Sequence, residues 1–108
     1  MTLSIIGQGY VGLTISAFAG EYYRVIGFDR NETIVNQLNK GISHVECVES
    51  NRLKQIISMR NYRASSNGMD IADSEIVVIA VPTPLDKYRK PNLTYIDSAC
   101  KIIAENLT

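Results

Sequence analysis

The chain has 108 residues, room for one domain at the small end of the usual range. Hydrophobic residues make up 45%, enough for a core, and Lys+Arg balances Asp+Glu at 11 each, so there is no electrostatic footprint for nucleic acid or an anionic membrane surface. No apolar stretch approaches a membrane span, and Met1 runs almost straight into the first strand with no basic segment ahead of it, so a soluble, cytoplasmic protein is expected.

In chain order, the first predicted element is a strand over Thr2–Ile6. It feeds Gly7-Gln8-Gly9-Tyr10-Val11-Gly12, a G-x-G-x-x-G pattern, and a helix over Tyr10–Glu21 leaves it. That arrangement builds an anion site. Gly7 allows the tight turn, Gly9 lets the backbone approach a pyrophosphate, and Gly12 lets helix and strand pack closely. The phosphates then meet N–H groups at the positive end of a helix. The pattern alone is short and common, so its context decides. Helical spacing offers two apolar faces, Leu13-Ala17-Gly20 or Val11-Ile15-Phe18.

A second strand at Arg24–Phe28 ends in Asp29, 20 residues after Gly9, where the fingerprint wants an acid for the adenosine ribose. A strand-end turn former is the plain alternative for Asp29. Gly27 within this strand fits the close approach of something flat to the backbone, or simple packing. Asn31 caps a helix over Glu32–Asn39, and Gly41 is its stop signal. Residues 42–48, with His44, read as loop. A further helix begins at Glu49 or Ser50 and runs to Ser58, with Leu53, Ile56 and Ile57 as its buried stripe. A short third strand is expected at Tyr62–Ser65, and Ser66-Asn67-Gly68 is turn chemistry.

Ser74–Val81 is the clearest strand. Its continuous apolar run, rich in β-branched residues, predicts burial on both faces in a parallel sheet. Pro82 ends it, residues 82–92 form a polar loop, and a last helix covers Thr94–Leu107, with Ile96, Ala99, Cys100, Ile103 and Leu107 on one side. Cys47 and Cys100 show no ligand spacing and are expected to be reduced, with Cys100 a small buried residue. His44 is the only histidine, so no metal is expected.

The order β-α-β-α-α-β-β-α predicts an α/β fold of Rossmann type, a doubly wound parallel sheet left incomplete at about four strands. With strand order 3-2-1-4, a ligand binds at the carboxyl ends of strands one and four.

Gly7-Gln8-Gly9-Tyr10-Val11-Gly12-Leu13 resembles the opening of the nucleotide-sugar dehydrogenases, the UDP-glucose/GDP-mannose dehydrogenase family. Val25-Ile26-Gly27-Phe28-Asp29 and Gly41-Ile42-Ser43-His44 resemble that family's second strand and following loop. Ala80-Val81-Pro82-Thr83-Pro84-Leu85 resembles its V-P-T-P loop, the most specific of these stretches. The run from Asp86 to Tyr95 resembles the branch acting on UDP-N-acetylhexosamines. The resemblance covers nearly all of residues 1–108 and marks them as a partial N-terminal NAD-binding domain.

The resemblance implies oxidation of a sugar C6 alcohol to a carboxylate with two NAD, through an intermediate held on a cysteine. That cysteine lies far downstream in the family; neither Cys47 nor Cys100 matches it. This chain also stops before the family's fifth strand, so no catalytic residue is assigned within it. Carried over, the backbone amides of Tyr10 and Val11 meet the NAD pyrophosphate, Asp29 accepts from the ribose, Arg30 lies beside adenine, and Pro82 and Thr83 line the cleft. The family's usual acid in the last loop is Asn92 here. Lys87, Arg89 and Lys90 read as a solvated loop, with contact to a nucleotide-sugar diphosphate as the alternative. The expected partners are a nucleotide-sugar substrate in the full-length enzyme and further copies of the same chain. The rival reading is a non-catalytic dinucleotide sensor that regulates another protein.

Overall fold

The computed structural model describes residues 1–46, 48–81 and 93–106. Four parallel strands, β1 (Thr2–Ile6), β2 (Arg24–Phe28), β3 (Tyr62–Ser65) and β4 (Ile76–Ile79), form one sheet in the order β3-β2-β1-β4. This is the 3-2-1-4 order expected from the sequence. It puts the reversal point between β1 and β4, with the carboxyl ends of all strands along one rim.

Helices cover both faces. On one face lie α1 (Tyr10–Ala19), α2 (Glu32–Asn39) and α3 (Ser50–Ser58), whose Leu13, Ala17, Val35, Leu38, Leu53 and Ile56 pack with Ile5, Val25 and Tyr62 of the sheet. On the other face a 3-10 turn (Gly68–Ile71) and α4 (Thr94–Asn106) pack Ile71 and Ala99 against Ile6, Ile26 and Phe28. The side chains of successive strand residues point to opposite faces, so Ile5 and Ile6 anchor different cores. Burial of this apolar surface is the main favourable term in the fold.

Local signals explain the helix boundaries. The Asn31 side chain accepts from the amides of Thr33 at 3.0 Å and Ile34 at 3.2 Å, the expected N-cap of α2. Past its end, Gly41 takes φ +80°, the Gly41 amide bonds the Leu38 carbonyl, and the Ile42 amide bonds that of Gln37. That pair of bonds is a Schellman motif, and a residue with a Cβ fits it poorly. Of the two candidate faces of α1, Leu13-Ala17-Gly20 is the buried one, while Val11, Ile15 and Phe18 face out. The helix stops at Ala19, two residues earlier than expected, with Gly20 as its cap.

Two expectations need correction. β4 is not buried on both faces: Ile76 keeps 43% and Ile79 38% of its surface exposed. The cause is position. β4 pairs with β1 on one side only among the described residues, although Glu75 and Ala80 extend that ladder through bonds to Thr2 and Ile6. An apolar run thus sits at a sheet edge. Cys100 is exposed rather than buried, because the inward face of α4 runs through Ala99, Ile102 and Ile103, one position away on the helix. Cys47 and Leu107 lie outside the described residues.

Candidate dinucleotide site

The glycine loop is built by close backbone approach. Gly7 takes φ +97°, a conformation that suits glycine, and its amide donates to the Phe28 carbonyl at 2.7 Å. A Cβ on Gly7 would stand 2.7 Å from the Ala80 carbonyl oxygen, so β4 also crowds the turn. A Cβ on Gly12 would collide with the Gly7 carbonyl itself. At Gly9 the situation is the reverse: among the described residues an added Cβ meets no atom within 4 Å beyond its chain neighbours. Two glycines therefore serve packing, and the middle one opens onto the cleft.

That cleft has a volume of about 700 Å³. Gly7, Gly9, Tyr10 and Val11 form its floor, Asp29 and Arg30 stand on the β2 side, and Ile79 to Val81 on the β4 side. Tyr95 and Ser98 of α4 close it from the other face, a contribution the sequence did not suggest. α1 starts over this cleft with Gly9, which has no side chain, as its N-cap residue and no acid in its first turn. The positive end of a helix dipole suits an anion.

Asp29 is half-buried and held from two directions. Its Oδ2 accepts from the Gln8 amide and its Oδ1 from the Asn31 amide, both at 2.9 Å. A carboxylate oxygen takes more than one hydrogen bond, so both retain capacity toward the cleft. The turn-forming alternative and the ligand-binding one are compatible, because a carboxylate that holds two backbone amides keeps lone pairs for a further donor. Arg30 is exposed at the cleft margin. Gly12 lies beneath the loop rather than in the cleft wall. Pro82, Thr83, Lys87, Arg89 and Lys90 fall outside the described residues. His44 is exposed in the loop after α2, away from the cleft.

Sequence reasoning passed over Gln8. Its side chain is fully buried, and its Oε1 accepts from Tyr62 Oη at 2.7 Å and Ser16 Oγ at 3.1 Å. Its Nε2 donates to the carbonyls of Gly7 at 3.0 Å and Ile5 at 3.2 Å. Burial, with a smaller push from the Asp29 charge, lifts the Tyr62 phenol well above the usual tyrosine range, so it stays a donor at neutral pH. The one signal was Gly27: a Cβ there would strike the Gln8 amide and lie 2.7 Å from Tyr62 Oη. The flat group approaching that strand is the Gln8 side chain.

A Rossmann sheet, a glycine loop at its reversal point and an acid at the end of β2 define a dinucleotide-binding domain. The sequence matches the family model for the UDP-glucose/GDP-mannose dehydrogenase family, NAD binding domain, over residues 1–108, and the chain belongs to that family. It is 38% identical over 105 residues to UDP-N-acetyl-D-mannosamine dehydrogenase of Escherichia coli strain K12, covering 95% of this chain and 24% of that one. It is 34% identical over 106 residues to Protein CapL of Staphylococcus aureus, covering 98% of this chain and 24% of the relative. Among solved structures, that of a UDP-D-ManNAc dehydrogenase from Pyrococcus horikoshii superposes with a TM-score of 0.89 at 32% identity, over 97% of this chain and 25% of the other. The chain spans about a quarter of the length of these relatives.

The residues present fit NAD. Gly9 has room for a close-lying pyrophosphate among the described residues, the start of α1 would suit its charge, and Asp29 lines the same cleft with acceptor capacity for a hydroxyl donor. No helix among the described residues is long and apolar enough to cross a membrane.

Proposed function

We propose that this chain supplies the NAD site of a nucleotide-sugar 6-dehydrogenase acting on a UDP-N-acetylhexosamine, UDP-N-acetylmannosamine or UDP-N-acetylglucosamine. The observation that carries the reading is the single cleft shared by Gly9, the start of α1 and Asp29. NAD, when bound, accepts a hydride from the sugar C6 carbon. Alcohol to carboxylate is a four-electron oxidation, which accounts for two NAD per substrate. The relatives named for UDP-N-acetyl-D-mannosamine dehydrogenation support the sugar class. Residues 1–108 act as one partial N-terminal domain for the cofactor, and the uronate product is a precursor for polysaccharide.

Within that domain, the Tyr10 and Val11 backbone amides bind the pyrophosphate and Asp29 orients the ribose. Arg30 flanks adenine, while Pro82 and Thr83 line the β4 side. The cytoplasm is the fitting compartment, since an exposed thiol at Cys100 suits a reducing one. Homo-oligomerisation is supported by the exposed apolar side chains of α1 and β4.

Cofactor choice tests the site. A carboxylate at position 29 repels a 2′-phosphate, so calorimetric titration should give tighter binding for NAD than for NADP. Asp29→Ala should weaken NAD by about 1–2 kcal/mol, the scale of a hydrogen bond to a charged group. The same change strips acceptors from the Gln8 and Asn31 amides, so a melting curve must accompany it. Equal or tighter NADP binding would remove Asp29 from its proposed role.

The purified 108-residue chain should also be catalytically silent, because the covalent intermediate needs a nucleophile from elsewhere in the enzyme. NADH formation with either UDP-N-acetylhexosamine should stay at background. Turnover would put the nucleophile within these residues.

A further inference from the structure

We propose that Gln8 is a positioning residue for the cofactor's pyrophosphate: its buried amide splints the glycine loop from beneath and fixes which loop groups face the cleft. The proposal rests on the NAD reading above and concerns a residue that makes no contact with the cleft itself.

A primary amide offers two donors and an oxygen with two lone pairs. In this buried side chain all four are used, on four separate partners: the carbonyls of Ile5 and Gly7, the Ser16 hydroxyl and the Tyr62 phenol. Those partners belong to β1, the loop, α1 and β3. The amide therefore ties β1, the loop, α1 and β3 to one another, and it crosses β2 at Gly27, where only a hydrogen fits.

The directions of these bonds matter for binding. The Gly7 carbonyl is drawn inward to Gln8 Nε2, and the Gln8 backbone amide is spent on Asp29. The loop's inward groups are thus satisfied by protein. The start of α1 lines the cleft, and the positive end of a helix attracts an anion. A carbonyl released from its inward bond is free to rotate toward the cleft, where it would oppose phosphate oxygens. Fully satisfied buried networks hold one geometry, and partly satisfied ones do not.

The residue at position 8 thus governs the pyrophosphate half of the site while leaving the ribose half alone. Asp29 is held through the Gln8 main chain, which a side-chain substitution preserves. The variants Gln8→Leu and Tyr62→Phe separate the two halves. The first removes the splint, and the second removes one of its four bonds while keeping the ring. Affinities for NAD, ADP and adenosine should be measured on each variant and on the unmodified chain.

Gln8→Leu should weaken NAD and ADP about tenfold or more, and Tyr62→Phe about threefold, with adenosine unchanged within about twofold. A merely structural role would lower the melting temperature without changing the ratio of ADP to adenosine affinity. Should Gln8→Leu fail to fold, the ratio in Tyr62→Phe decides alone. An unchanged ratio in the variants, alongside an unmodified chain that binds NAD, overturns the role of Gln8 and leaves the NAD site standing. An unmodified chain that binds neither NAD nor ADP overturns both.

Discussion

Gly12→Ala should abolish NAD binding and cost the fold about 3 kcal/mol or more, the upper range for forced overpacking. The new Cβ would fall on the Gly7 carbonyl, a backbone atom with nowhere to go. Gly7 is held by its own amide on Phe28 and by Gln8 Nε2 on its carbonyl, and the Ala80 carbonyl leaves no room for a Cβ beside it. Relief requires α1 to lift from β1, which exposes Leu13 and Ala17. Gly9→Ala is the matched control. Nothing among the described residues lies near its Cβ, so it should melt like the unmodified chain while still losing NAD affinity, because the methyl takes space the pyrophosphate needs. Thermal melting and calorimetry on the pair give the answer. A Gly12→Ala chain that melts normally and binds NAD would show that the loop is not packed as described.

The contrast between these two glycines marks what a sequence makes legible. The fingerprint spacing made the loop and the acid at the end of β2 legible, because backbone geometry at G-x-G-x-x-G leaves few alternatives, and the strand order it presupposes is the one observed. Helix limits at Asn31 and Gly41 were equally readable, since capping is local chemistry. Gln8 was not readable. Its role depends on Tyr62 and Ser16, which approach it only once β3 and α1 are in place, 54 and 8 residues along the chain. The α4 face was misjudged at Cys100 for a related reason. Helical periodicity gave a stripe, but the contact with Ile71 and Phe28 decides which side of the stripe is covered. β4 shows the same limit: its apolar composition signals burial, yet composition carries no information on whether a neighbouring strand is present.

The edge at β4 leads to the other large effect, in which NAD should raise the melting temperature of this chain sharply and the free chain should self-associate. Ile76 and Ile79 stand 43% and 38% exposed on an edge strand, and Val11 and Phe18 on α1 are each 58% exposed. Arg52 shields Phe18 only in part, with its guanidinium 4.5 Å above the ring. A chain of 108 residues buries a modest share of its surface, so stability is expected to be low. NAD at about 100 times its dissociation constant adds about 2.7 kcal/mol. For a domain of this size that is a shift on the order of 10–20 °C. Open parallel edges recruit further strands, and a charge on the edge discourages them. Ile76→Lys should therefore lower the apparent mass in light scattering without changing NAD affinity, because Ile76 lies outside the cleft. Association that persists in this variant would move the contact to the outer face of α1, where Phe18→Lys should break it. A monodisperse monomer whose melting point NAD leaves unmoved would refute both halves of the expectation, and with them the view that this edge is open.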